Sequence, residues 1–88
     1  MLELEECVPA TPSAEEAWEA RETAAAVDRW LAGLAPAERW LFLRRYWHGE
    51  RVDTLAARLG LSPNTTAQRL RRLRASLRRA LEQEGVRL

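Results

Sequence analysis

Cysteine, histidine and lysine are almost or wholly missing from this 88-residue chain, and each shortage closes off a chemistry. The one cysteine, Cys7, has no partner for an internal disulfide, and beside a single histidine, His48, it leaves no ligand set for a structural zinc. Neither a metal nor any other cofactor is expected. The four glycines are scattered and form no phosphate-cradling loop. Unbroken apolar stretches such as Ala24-Ala25-Ala26-Val27 fall far short of the ~20 residues that cross a bilayer. The opening residues, Met1-Leu2-Glu3-Leu4-Glu5-Glu6, lack the basic and then apolar regions of a secretory signal. The reading is therefore of a cytoplasmic protein with no membrane partner. Glu15, Glu16 and Glu19 fall in the solvated first turns of a helix and form no catalytic carboxylate pair, so neither enzyme activity nor a small-molecule substrate is expected.

What the chain does have is charge, unevenly spread. Hydrophobic residues make up 47% and charged residues 31%, a globular balance that lets so short a chain build one core and no more. The formal net charge of +1 conceals two opposite halves. Residues 1–28 hold eight acids against one arginine, a net −7, whereas residues 29–88 hold thirteen arginines against five acids, a net +8. Within 51–81 eight arginines stand against Asp53 alone, a local surplus that suits a polyanion such as nucleic acid. In the absence of DNA the acidic segment 1–28 is expected to shield that arginine face.

The pattern of caps and apolar spacing reads as helices throughout, with no strand signal. Two prolines in Cys7-Val8-Pro9-Ala10-Thr11-Pro12 mark an extended stretch, and residues 1–13 are read as a flexible acidic linker before a domain over 14–88. Ser13-Ala14-Glu15-Glu16 matches the capping box and predicts a first helix from about Ala14 to Leu31, with Trp18, Val27, Trp30 and Leu31 among its apolar positions. Pro36 opens a second helix, and Gly49 lies where the chain must leave it. Val52, Leu55, Ala56 and Leu59 predict a short third helix ending at Gly60. Ser62 as cap and Pro63 in the first turn begin a fourth, lined by Thr66, Leu70, Leu73, Leu77 and Leu81 down to about Glu84. The expected fold class is all-α: a small bundle of about four helices, without a wing.

The connector Gly60-Leu61-Ser62 joins the last two helices closely enough that they must share one core, which is a helix-turn-helix. Ala56 is small where the second helix approaches, Gly60 supplies a left-handed turn, and Leu61 fills the angle between them. At ~100° per residue, the face of the fourth helix opposite its core stripe carries Asn64, Gln68, Arg71 and Arg72, with Thr65 and Ala67 on its flanks. Amides pair bidentately with adenine and guanidinium groups with guanine, so these six positions are the candidates for reading base edges in a major groove. Arg69 and Arg74 at the core margins, Arg51 and Arg58 on the third helix, and Ser62 at the turn are the candidates for phosphate.

Three runs carry a resemblance to a known family: Leu34-Ala35-Pro36-Ala37-Glu38-Arg39-Trp40-Leu41-Phe42-Leu43-Arg44-Arg45-Tyr46-Trp47, Leu55-Ala56-Ala57-Arg58-Leu59-Gly60-Leu61-Ser62, and Arg69-Leu70-Arg71-Arg72-Leu73-Arg74 to Leu77. Together they look like region 4 of bacterial sigma factors, closest to the small extracytoplasmic-function type, and the similarity covers about residues 14–84. The resemblance implies recognition of the double-stranded minus-35 promoter element, with the fourth helix in the major groove. It also implies docking on the beta-subunit flap of RNA polymerase, for which Trp40, Leu41 and Trp47 are the candidate surface, and an anti-sigma factor as a further partner. Thr66 departs from the family, which usually has an aliphatic residue there, and Ala67 stands where a base is common. Nothing resembles region 2, so the chain alone is not expected to start transcription; it is either part of a longer sigma factor or a stand-alone promoter-binding accessory.

Blander readings stand beside these. Trp40, Leu41 and Trp47 also suit a core stripe covered by Trp18 and Trp30 of the first helix. Leu70, Leu73, Leu77 and Leu81 would serve a dimeric regulator whose last helix continues into an intermolecular coil. A protein-interaction module, solubilised by its arginines, is the remaining alternative. His48 reads as a helix C-terminal residue and Cys7 as an inert thiol.

Overall fold

A computed structural model describes residues 13–85, and these form four helices in the order α1 (Ala14–Ala32), α2 (Pro36–Tyr46), α3 (Val52–Leu59) and α4 (Pro63–Gln83). No strand occurs among the described residues. The expected linker lies outside them except for Ser13, which caps α1: its hydroxyl accepts from the Glu16 amide at 3.1 Å while the Glu16 carboxylate accepts from the Ser13 amide at 3.1 Å. This reciprocal pair satisfies two orphan donors of the first turn and fixes where the helix begins.

α4 is the element against which the other three pack. The core is Leu41 and Phe42 of α2, Leu55 of α3, and Leu70 and Leu73 of α4, with Trp30, Leu31, Leu34, Trp40, Val52, Leu59 and Leu77 packed around it. Phe42 meets the edge of Trp30 with ring centroids 4.9 Å apart, and the Trp30 indole N–H donates to Ser76 Oγ at 3.0 Å, pinning α1 onto α4. Farther along the same pair of helices, the Arg29 guanidinium binds the Glu84 carboxylate. The Glu84 hydrogen bond, and then its charge, hold the Arg29 pKa above arginine's ordinary value.

The turn between α3 and α4 forms as its residues dictate. Gly60 adopts φ +70°, its amide donates to the Ala57 carbonyl, and the Leu61 amide donates to the Ala56 carbonyl at 2.9 Å. That pair of bonds is the Schellman arrangement, which closes α3 while Ala56, almost wholly buried, lets α4 come close. Ser62 then caps α4, accepting from the Thr65 amide at 3.1 Å. Thr66 is fully buried, and its hydroxyl donates to the Ser62 carbonyl at 3.0 Å. A polar side chain thus takes an aliphatic position without leaving an unmet hydrogen bond.

Three expectations are corrected. Leu41 is only 2% exposed, at the centre of the core, and is no part of an outer surface. Trp18 is 58% exposed and stands apart from the residues that pack on the core, whereas Trp30 packs there as expected. Before Ala26, only Ala17 and Thr23 of α1 are even half-buried, so its first turns extend past the packed region. The leucine ladder of α4 is occupied internally: Leu70, Leu73 and Leu81 are buried and Leu77 is half-buried, which leaves no free stripe for an intermolecular coil.

Candidate nucleic-acid interface

The outward face of α4 follows directly from which side is buried. With Thr66, Leu70 and Leu73 facing the core, Asn64, Thr65, Gln68, Arg71 and Arg72 are exposed together. Ala67 is half-buried, so it offers a methyl edge rather than a full contact. Five of the six candidate base-reading residues therefore share one open surface that begins at the N-terminus of the helix. Ser62 shapes this end: its hydroxyl donates to Thr65 Oγ1 at 3.0 Å while accepting the Thr65 amide, so the cap uses its proton. The Thr65 hydroxyl proton is the one left to point outward.

Most of the arginines fall into two groups. Arg58, Arg69, Arg71, Arg72, Arg78 and Arg79 form no ion pair among the described residues and are all exposed, which leaves their charge available to an anion. Arg51 is exposed and meets Asp53 at 3.4 Å, a surface pair weak enough to be exchanged for a phosphate. The second group serves the fold. The Arg39 Nε donates to the Leu31 carbonyl at 3.0 Å and its Nη2 to the Leu34 carbonyl at 3.2 Å, closing the end of α1 and the connector to α2. Arg44 Nη1 donates to Glu50 Oε2 at 2.8 Å and Arg45 Nη1 to the Glu50 carbonyl at 2.9 Å, fixing the entry to α3. Composition alone could not separate these groups, because the division depends on which carbonyls and acids fold back within reach.

Arg74 belongs to neither group. Its Nη1 donates to the Tyr46 hydroxyl at 2.7 Å, a link between α2 and α4 that sequence spacing gave no sign of. Tyr46 in turn lies against Phe42 with ring centroids 4.7 Å apart.

The third cluster, Trp40, Leu41 and Trp47, is not a single surface. Trp40 is half-buried beneath the Arg44 guanidinium, whose central carbon lies 5.7 Å from the ring centroid. Leu41 is core, as described above. Trp47 is 65% exposed because it follows the last helical residue of α2 and caps that helix. The acids of the first turns of α1 make no ion pair with the arginine face among the described residues, and the rest of the expected acidic shield lies outside them.

Residues 24–82 match the family model described as Sigma-70, region 4, which takes in part of α1, all of α2 and α3, and α4 almost to its end. No curated protein matches the chain.

Proposed function

The chain belongs to the sigma-70 region 4 family, and from that premise we propose that it recognises the minus-35 element of promoters, directing RNA polymerase in transcription initiation as the region 4 module of a sigma factor. α4 lies in the major groove with Asn64, Thr65, Gln68, Arg71 and Arg72 toward base edges and Ala67 offering its methyl group to a thymine. Arg51, Arg58, Arg69 and Arg74 hold the phosphates on either side, and Ser62 serves that contact by ordering the N-terminus of α4. The single observation that carries this reading is the exposed, unpaired row of amide and guanidinium groups on the free side of the second helix of a helix-turn-helix. A face that served only solubility would not require amides at the N-terminus followed by arginines one and two turns later.

On the polymerase side, Trp47 and the exposed part of Trp40 are the residues proposed to meet the beta-subunit flap, in keeping with aromatic enrichment at interface centres. An anti-sigma factor would act by covering either surface.

The test is direct. The wild-type chain binds a duplex selected for it more tightly than the scrambled duplex, and Arg71→Ala with Arg72→Ala lowers that preference by about tenfold or more, since each good bidentate contact is worth ~1–3 kcal/mol of discrimination. Equal affinity of the wild type for selected and scrambled DNA removes base readout from the proposal. Trp47→Ala leaves both DNA affinities unchanged while weakening capture by an isolated beta-flap fragment.

A further inference from the structure

Among the described residues, Tyr46 is the α2 side chain that hydrogen-bonds a basic residue of α4, and its chemistry at that contact is well defined. The ring is fixed on one side by Phe42, which is itself 5% exposed and locked against Trp30. Its edge and hydroxyl remain open, the residue being 40% exposed. A phenol oxygen has two lone pairs and one proton. Accepting from Arg74 Nη1 uses one lone pair and leaves the O–H free to donate. Arg74 likewise keeps its other N–H groups for a second partner.

Position makes that second partner an anion. Arg74 is three residues beyond Arg71, so the two are neighbours along one edge of α4, and Arg74 is the next group met on leaving the base-reading face. No carboxylate pairs with Arg74 among the described residues. We propose that the Tyr46 hydroxyl and the Arg74 guanidinium form one composite phosphate-binding unit, in which Tyr46 positions Arg74 and donates its own proton to the same phosphate. The proposal rests on the DNA-binding reading above. Its consequence is that the helix bearing the aromatic core also sets the reach of a DNA contact. Arg74 is held before DNA arrives, so less side-chain freedom is lost on binding than a free arginine would lose.

The test is a double-substitution cycle on the full chain, with Tyr46→Phe, Arg74→Ala and the pair together, each bound to selected and scrambled duplex over a series of salt concentrations. Tyr46→Phe keeps the ring contact with Phe42 and removes only the hydroxyl. It is expected to weaken binding to both duplexes by a similar factor, about three- to tenfold, with helical content unchanged. In the Arg74→Ala background the same substitution is expected to cost much less. Replacing backbone phosphates one at a time by neutral methylphosphonate should identify one position at which wild type loses affinity and Tyr46→Phe loses far less. Wild-type affinity for Tyr46→Phe, or a loss of equal size with and without Arg74, overturns the proposal. Because the cycle is also read on scrambled DNA, it decides about Tyr46 even if the base-reading proposal fails, which the wild type's preference between the two duplexes reports separately.

Discussion

Thr66 shows how a single residue can break the apolar pattern of a helix and still fit. Its side chain is wholly enclosed, yet the hydroxyl closes a bond to the Ser62 carbonyl, which the Thr66 amide already approaches at 3.0 Å. Removing the hydroxyl leaves no orphan, because that carbonyl keeps its backbone donor. Thr66→Val, nearly the same in shape, is therefore expected to change unfolding free energy by no more than about 1 kcal/mol. Leu55→Ala is different: the residue is 0% exposed at the contact of α3 with α4, and truncation should cost ~2–5 kcal/mol. Urea unfolding followed by far-ultraviolet circular dichroism compares the two. A Thr66→Val variant as damaged as Leu55→Ala would mean that the threonine hydroxyl has a structural part beyond this one bond.

At the scale of the elements, the end signals are local, and for that reason they were legible in the sequence. Ser13 with Glu16, Pro36, Gly60, and Ser62 with Pro63 each act on the backbone within one turn of themselves; α1, α2 and α4 begin, and α3 ends, where these residues place them. The core stripe of α4 was equally legible, because 3.6-residue periodicity over 21 residues leaves little choice of face. Leu41, Trp18 and Trp47 were not legible, for tertiary reasons. α2 is apolar on several sides, and only the arrival of α1, α3 and α4 decides that Leu41 is enclosed. Trp18 sits on turns of α1 beyond the packed region, and Trp47 lies past the end of its helix, so the heptad spacing from Trp40 no longer governs where it points. The Tyr46–Arg74 bond, spanning 28 residues, is beyond any local signal.

The turn itself supplies an element-scale prediction. An added Cβ at Gly60 would meet no atom within 4 Å, so its φ of +70° alone sets the cost of Gly60→Ala, ~1–2 kcal/mol. Gly33 has φ −85°, and a Cβ there would meet the Trp30 and Arg29 carbonyl oxygens at ordinary contact distances of 3.6 and 3.8 Å. Gly33→Ala should therefore be neutral or stabilising by up to about 1 kcal/mol. The thermal midpoints of the two variants should move in opposite directions or differ clearly; equal losses would contradict the role assigned to the left-handed turn.

For the whole molecule, charge placement matters more than net charge. A sum near zero coexists with an α4 surface on which the exposed arginines have no acidic partner among the described residues. If Arg51, Arg58, Arg69 and Arg74 each neutralise one phosphate, log affinity should fall against log salt with a slope of about −3 to −4. Arg58→Ala should then make it shallower by about 1. A slope unaffected by Arg58→Ala removes α3 from the contact. pH acts differently on the Arg29–Glu84 bridge. Because the guanidinium pKa is raised in the folded state, its contribution is fully present below arginine's ordinary pKa and is lost only as pH rises through the raised value. Protonation of Arg29 therefore gives no pH dependence across the neutral range, whereas added salt screens this exposed pair.

The central claim is that the free side of α4 reads base edges, and selection from a random duplex pool with wild type and with Gln68→Ala tests it most directly. The prediction is one enriched sequence for wild type and, for Gln68→Ala, the same sequence with preference relaxed at a single base position. No enriched sequence for wild type, or an identical one at every position for the variant, would contradict it.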